Sequence, residues 1–254
     1  PSEGKIVAPA DGLVTMVFDT KHALSVQTES GAELIIHIGL DTVQLKGQYF
    51  EAHVKAGDKV KKGDLLLEFD MDKIKEAVQM VKASKAPVII MGGGCFISHC
   101  TDEVVKLAEM LQAPVVTTYQ AKGGIPEDHP LNAGHVGIQV GQPIGNKIFL
   151  DSDLVIGIGN RFSDRHTGDL ATYCKDRKFT PINIEPSQIG MVFEPELGIV
   201  SDAKLATEAL IAEVKAAGVQ PINPARAAEI SKLREELARK TDYDWSPIMP
   251  HRVF

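Results

Sequence analysis

The apolar residues change their spacing near Ala77, and no single architecture accommodates both patterns. Before it stand short alternating runs: KIVAP, GLVTMVFD, HALSVQT, ELIIHI, VQLKG, FEAHV and DLLLEFD, punctuated by ADG, SG and KAGDKVKKGD. Alternation bounded by glycine and aspartate marks half-buried antiparallel strands, so this part reads as a small all-β sandwich or barrel. After it, helical stretches alternate with apolar runs. Helix AVQMVKASK, strand APVIIM, helix DEVVKLAEMLQ and strand APVVTTY lead into a long Gly/Pro loop. Strands DLVIGIGN and FTPINIE and helix AKLATEALIAEVKAAG follow. Solidly Val/Ile strands between helices predict a parallel sheet covered on both faces. The expected fold is therefore α/β overall. A sandwich-like β fragment over residues 1–77 precedes a Rossmann-like, three-layer α/β domain over 78–218, with a helical linker and tail over 219–254. No Gly/Ser linker announces the seam, which falls inside IKEAVQMVKASKAP, and Arg161 is the first arginine in the chain.

Composition narrows the function classes. A net charge of -7 over 254 residues argues against nucleic acid or an anionic membrane as the main partner. No apolar run reaches the ~18 residues of a spanning helix, and no basic-then-apolar leader opens the chain, so a cytoplasmic location without membrane insertion is expected. Cys95, Cys100 and Cys174 are too few and too unevenly spaced for a disulfide framework, and no Cys/His quartet predicts a structural metal.

Two histidines stand out in the first part. With a two-residue Ser30-Gly31 turn, HALSVQT and ELIIHI pair so that His22 lies opposite Gly39 and His37 opposite Leu24. The imidazoles are then diagonal neighbours on one face, with backbones roughly 7–8 Å apart. A neutral imidazole attacks phosphorus near pH 7 without a metal, and a second ring or a hydroxyl such as Thr20 can stabilise the transferred group. Two other readings stay open at this stage: a zinc site, for which no third ligand is apparent, and two strand histidines that are merely hydrogen-bonded. In the second part, ligands are expected beyond the carboxyl ends of the strands. Those ends carry Gly92, Gly93 and Gly94, then Thr117 and Thr118, Gly157 to Arg161, and Asn183 to Glu185. Arg161 or Arg165 could pair with a pyrophosphate. Thr101 is expected to cap the helix that follows it.

The stretch APADGLVTMVFDTKHALSVQTESGAELIIHIGLDTVQLKG, continuing to FDMDKIKEA, resembles the glucose-type enzyme IIA domain of the bacterial sugar phosphotransferase system. HIGLDTVQLKG matches that family's phosphorylation signature and DTKHAL its second active-site histidine. The resemblance implies that His37 accepts a phosphoryl group from a phosphocarrier protein and passes it to a sugar-transporter subunit. It further implies that His22 stabilises phospho-His37, that Thr20 hydrogen-bonds near the pair, and that Asp41 and Val43 shape the docking rim. It covers only the second half of that domain. The exposed layer is expected to be covered by the α/β part or by another copy, with KAPVIIM offering a strand edge. A weaker likeness of APADGLV and VKAGDKVKKGDLLLEFD to biotinyl and lipoyl carriers offers only Lys73 as the attachment point.

Residues 78–254 resemble the middle domain and linker of thiamine-diphosphate enzymes of the acetolactate synthase group, glyoxylate carboligases in particular. The matching stretches are GGIPEDHPLNAGHVGIQ, GIGNRFSDRHTGDLATY, INIEPSQIG and GIVSDAK. The resemblance implies FAD bound in a structural rather than redox role. Gly92, Gly93, Gly94, Thr117, Gly159, Arg161, Asp164 and Arg165 would line the flavin and pyrophosphate path, with Asn183, Ile184 and Asp202 near the adenosine. Asn183 stands where the family usually has aspartate. Thiamine diphosphate and Mg²⁺ belong to other domains of those enzymes, so carboligation is not expected from this chain alone. The two resemblances tile the chain. The reading is a composite in which a phosphohistidine carrier fragment adjoins a non-catalytic FAD-binding domain. The alternatives are an artificial chimera or scaffold without activity, or a carboligase fragment, and a homo-oligomer is possible in each case.

Overall fold

The computed structural model describes residues 5–37, 50–69, 72–139 and 141–238. The expected strand VQLKG, with Asp41 and Val43, lies outside them. The first part folds as seven short strands: β1 (Lys5–Val7), β2 (Gly12–Val17), β3 (Ala23–Thr28), β4 (Glu33–His37), β5 (Phe50–Ala52), β6 (Lys59–Val60) and β7 (Leu65–Phe69). They form two antiparallel sheets, β1-β7-β5 and β4-β3-β2-β6. Ala8, Val14, Leu24, Val26, Val60 and Leu66 make the small core. KAGD and KKGD turn in the same way. Gly57 and Gly63 take φ +96 and +94. The following Asp58 and Asp64 carboxylates accept the Lys55 and Lys61 backbone N–H at 2.9 and 2.7 Å.

The hairpin register differs from the expected one. Ala23, not Leu24, lies opposite His37, and Leu24 lies opposite Ile36. The connection has three residues, Glu29 to Gly31, closed by Thr28 N–H donating to the Ala32 carbonyl at 2.8 Å. Gly31 sits at φ +85, the left-handed residue that completes such a loop. A two-residue turn would have needed positive φ at Ser30 as well.

The second part comprises α1 (Asp72–Ala83), β8 (Pro87–Met91), α2 (Gly94–Ile97), α3 (Thr101–Leu111), β9 (Val115–Thr117), β10 (Asn132–His135), α4 (Pro143–Leu150), β11 (Leu154–Ile158), α5 (Asp164–Thr167), α6 (Leu170–Tyr173), β12 (Lys178–Asn183), β13 (Ile199–Val200), α7 (Ala203–Ala216) and α8 (Arg226–Glu236). The sheet runs β10-β9-β8-β11-β12-β13, every pairing parallel. β8 and β11 are buried along their whole length, which is why they read as unbroken apolar runs. From β8 the chain builds outward through β9 and β10. From β11 it builds the other way, so the strand order reverses between β8 and β11. This mixed architecture is the small antiparallel unit followed by a Rossmann-like α/β unit that the periodicity predicts.

Three details depart from the expectations. Thr101 is the first helical residue of α3, and Cys100 occupies the cap without a side-chain bond. The long Gly/Pro loop contains β10 and α4, whose short or glycine-interrupted apolar runs hide them. KAPVIIM supplies no edge to the β unit: its strand β8 lies inside the parallel sheet between β9 and β11. The β core is closed instead by Val200 and Leu205, from β13 and the first turn of α7. Ile74, Ala77, Val78 and Val81 of the connecting α1 join the α/β core.

Candidate functional site

Alternation along β4 turns Leu34 and Ile36 toward the core and leaves Glu33, Ile35 and His37 outside. His37 is thus exposed at the end of an edge strand. His22 arrives differently. A turn closed by Lys21 N–H to the Phe18 carbonyl, 2.7 Å, with Lys21 at φ +50, returns the chain just before β3 starts. His22 is therefore free of the ladder's alternation, and its ring reaches His37 despite the shifted register. The ring centroids lie 5.0 Å apart at an interplanar angle of 83°. His22 is 5% exposed, and the Phe18 ring also packs on it in an edge arrangement, with centroids 5.3 Å apart. The Thr20 hydroxyl is hydrogen-bonded to His22 Nδ1, so a hydroxyl proton given to Nδ1 leaves the imidazole proton on Nε2. Burial, then the nearby charge of a protonated His37, hold His22 below the ordinary histidine pKa and keep it neutral. On the same outer face, Met16, Ser25 and Ile35 form the next row, so an apolar surface adjoins the rings. Ile35 is 73% exposed. Lys73 does not stand at a hairpin tip. It lies in the first turn of α1 and donates to the Gly198 carbonyl at 2.8 Å. Among the described residues no group of three His, Cys, Asp or Glu could hold a metal ion.

The second site lies where the strand order reverses. Backbone meets backbone there: a Cβ on Gly94 would stand 2.7 Å from Gly159 Cα, and one on Gly92 would stand 2.2 Å from the Gly159 carbonyl oxygen. Only glycine permits that approach, and Gly159 also needs φ +62. The approach leaves a cleft of about 850 Å³ beyond the strand ends. Gly93, Gly94, Gly159, Arg161, Arg165, Asn183, Ile184 and Asp202 line it. Gly92, Thr117 and Asp164 do not. Gly92 is used up in packing on Gly159, Thr117 bonds His135 Nδ1 at 2.6 Å beside a different cavity, and the Asp164 carboxylate accepts the Arg165 N–H at 2.8 Å.

The arginines owe their position to Phe162. Its buried ring packs edge-on against Phe179 and Phe193 in an aromatic cluster, which pins the loop and turns Arg161 and Arg165 outward. Among the described residues neither guanidinium has a carboxylate partner. Lining residues that spacing alone does not single out include Tyr119, Gln120 and His166. His166 is pushed down to about 4 by burial, so it faces the cleft as a neutral ring. Its signal in sequence was present, one residue after Arg165 in GNRFSDRHTG, but periodicity does not separate a pocket histidine from a core one.

Comparison with known proteins bears on both units. The model for the thiamine pyrophosphate enzyme central domain matches residues 74–210. That for the phosphoenolpyruvate-dependent sugar phosphotransferase system, EIIA 1, matches residues 1–94. Their overlap is α1, β8 and the glycines after it, which the structure builds into the α/β unit. Glyoxylate carboligase of Escherichia coli O157:H7 is 42% identical over 184 residues, 71% of this chain and 31% of that protein. The PTS system beta-glucoside-specific EIIBCA component of Bacillus subtilis is 56% identical over 77 residues, 30% of this chain and 13% of that protein. The PTS system glucose-specific EIIA component of Halalkalibacterium halodurans is 49% identical over 90 residues, 35% of this chain and 50% of that protein. The chain thus spans a third or less of the length of the carboligase and the EIIBCA component and half of the EIIA component. No helix among the described residues is long and apolar enough to cross a membrane. By its central domain the chain belongs to the thiamine pyrophosphate enzyme family, and it is a composite that carries a phosphotransferase-system EIIA segment ahead of that domain.

Proposed function

We propose that the β unit is a phosphoryl carrier in which His37 is the acceptor, and that the α/β unit is a non-catalytic FAD-binding domain. The observation that carries the first reading is the 5.0 Å edge contact between the His22 and His37 rings. A lone pair on a His37 ring nitrogen forms the new P–N bond as the donor's bond to phosphorus breaks, its electron pair returning to the donor. Neutral His22, oriented by Thr20, donates a hydrogen bond to the phosphoryl oxygens, where an imidazolium would hold them too tightly for onward transfer. The apolar row of Met16 and Ile35 suits a protein donor and a protein acceptor. By the likeness to EIIA proteins, these are a phosphocarrier protein and a sugar-transporter subunit in the cytoplasm. Incubation with phosphoenolpyruvate-charged phosphocarrier is expected to give acid-labile label that is lost in His37→Ala. Full labelling of that variant would refute the assignment.

The cleft supports the second reading. Its volume falls in the range of about 300–1,000 Å³ typical of sites that bury small ligands and cofactors. Arg161 and Arg165, neither with a carboxylate partner among the described residues, supply two cations for a pyrophosphate. Gly93 lets a ligand approach its backbone, Asn183 and Asp202 offer polar contacts to an adenosine, and His166 adds an uncharged face. FAD in this role contributes binding and rigidity rather than electron transfer. Asn183 is committed in part, its amide donating to the Asn160 carbonyl at 3.1 Å and its side-chain oxygen accepting the Glu185 N–H at 2.9 Å. Saturating FAD is expected to raise the melting temperature, and an unchanged transition would count against this half of the proposal.

A further inference from the structure

The geometry points to one segment, Gly198 to Leu205, as a mechanical link through which the cleft and the β unit sense each other. Four contacts converge on it from different directions. The Lys73 ammonium of the connecting helix α1 donates to the Gly198 carbonyl at 2.8 Å. Val200 and Leu205 pack against the core of the β unit, whose outer face carries His37. Ser201 N–H donates to the Asn183 carbonyl at 3.0 Å, tying the segment to a lining residue of the cleft. Asp202 performs two tasks with its two oxygens. Oδ1 caps α7 by accepting the Lys204 and Leu205 N–H at 2.9 and 3.1 Å, and Oδ2 accepts the Ser98 hydroxyl at 2.7 Å.

Ser98 and Asp202 both line the cleft, and Asp202 is 4% exposed. A ligand that engages or displaces the Ser98 hydroxyl therefore acts on the carboxylate that fixes the first turn of α7. That same turn presents Leu205 to the β core. Two sites joined through one shared element are coupled, and the coupling is reciprocal: whatever tightens the cleft tightens the seat of the β unit, and the reverse. Neither relative family brings this arrangement with it, since the cleft comes from one unit and the core it supports from the other.

Hydrogen exchange on the full chain tests the link without any ligand. Ser98→Ala removes the hydroxyl that holds Asp202 and is expected to speed exchange of the β3 amides, Leu24 and Val26 among them, by about fivefold. Ser163→Ala, a change at another lining residue that does not touch Asp202, is expected to leave β3 at the wild-type rate. Leu205→Ala is the reciprocal arm, read at the Gly93 to Ser98 amides, which are expected to exchange faster. A β3 rate in Ser98→Ala equal to wild type, or an equal rise in Ser163→Ala, overturns the inference. A second comparison, with saturating FAD, rests on the cofactor reading. FAD that binds yet leaves β3 exchange unchanged also overturns the inference, whereas FAD that fails to bind removes the cofactor reading and leaves the ligand-free comparison to decide.

Discussion

Gly159→Ala is the sharpest perturbation of the α/β unit, because two separate costs fall on one methyl group. The residue sits at φ +62, so alanine must adopt the left-handed region, at about 1–2 kcal/mol. The new Cβ would also stand 2.7 Å from Gly94 Cα and 2.9 Å from the Cys95 nitrogen. Both are backbone atoms that cannot rotate aside, so β11 or the glycine loop must shift, at about 1–3 kcal/mol by the measure of overpacked cores. The sum, about 2–5 kcal/mol, is a large part of the 5–15 kcal/mol that typically holds a domain together. Gly63→Ala is the matched control. Its φ is +94, but nothing lies within 4 Å of the added Cβ, so only the backbone term of about 1–2 kcal/mol applies. Urea unfolding followed by far-UV ellipticity, to which the helices of the α/β unit contribute most, measures both. Gly159→Ala is expected to lower the midpoint by about 1–2.5 M, taking a slope of about 2 kcal/mol per molar, and Gly63→Ala by no more than about 1 M. Equal midpoints for the two variants would show that the close approach of the two loops is not a constraint.

Two further outcomes follow from the cleft. His166, held at about 4 when folded against 6.5 when free, binds its proton more readily in the unfolded chain. Its contribution is therefore fully present above pH 6.5 and is lost as the pH falls toward 4, about 3 kcal/mol in all. His166→Phe, which cannot titrate, is expected to flatten the unfolding free energy between pH 7 and 4, and a slope equal to wild type would contradict the assignment. Arg161→Gln and Arg165→Gln are each expected to weaken FAD binding about tenfold, as loss of one exposed charge-assisted contact to a phosphate does. Quenching of flavin fluorescence reads this directly, and unchanged affinity in both variants would move the pyrophosphate elsewhere.

Periodicity revealed most of the architecture because burial leaves a plain trace. Strands such as PVIIM and LVIGI, buried on both faces, must be apolar throughout, and the β unit's one-sided strands must alternate. What stayed hidden depends on single residues or on distance in the sequence. The hairpin register turned on whether Gly31 alone, or Ser30 with it, took positive φ, and one residue of slip moves every partner. NAGH and PIGNKIFL carry too little apolar pattern to announce a strand and a helix. The strand in KAPVIIM reads equally well as the end of one unit or the start of the other, and packing between β9 and β11 decides it. The histidine pair came together although its expected register was wrong, since His22 precedes the ladder and is placed by the Lys21 turn. In the cleft, the glycines and arginines were visible as types. That Gly92 packs on backbone while Thr117 serves another cavity follows only from three-dimensional proximity.

The claim on which the phosphoryl-carrier reading rests is that the two imidazoles share one site, and their titration by NMR tests it without a donor or an acceptor protein. His22 is expected to titrate below the ordinary value of 6.5, held down first by burial and then by the charge on His37. In His37→Gln the second cause disappears, so the His22 midpoint is expected to move upward while remaining below 6.5. A His22 midpoint at the ordinary value, unmoved when His37 is replaced, would mean that the rings do not sense each other and could not hold one phosphoryl group between them.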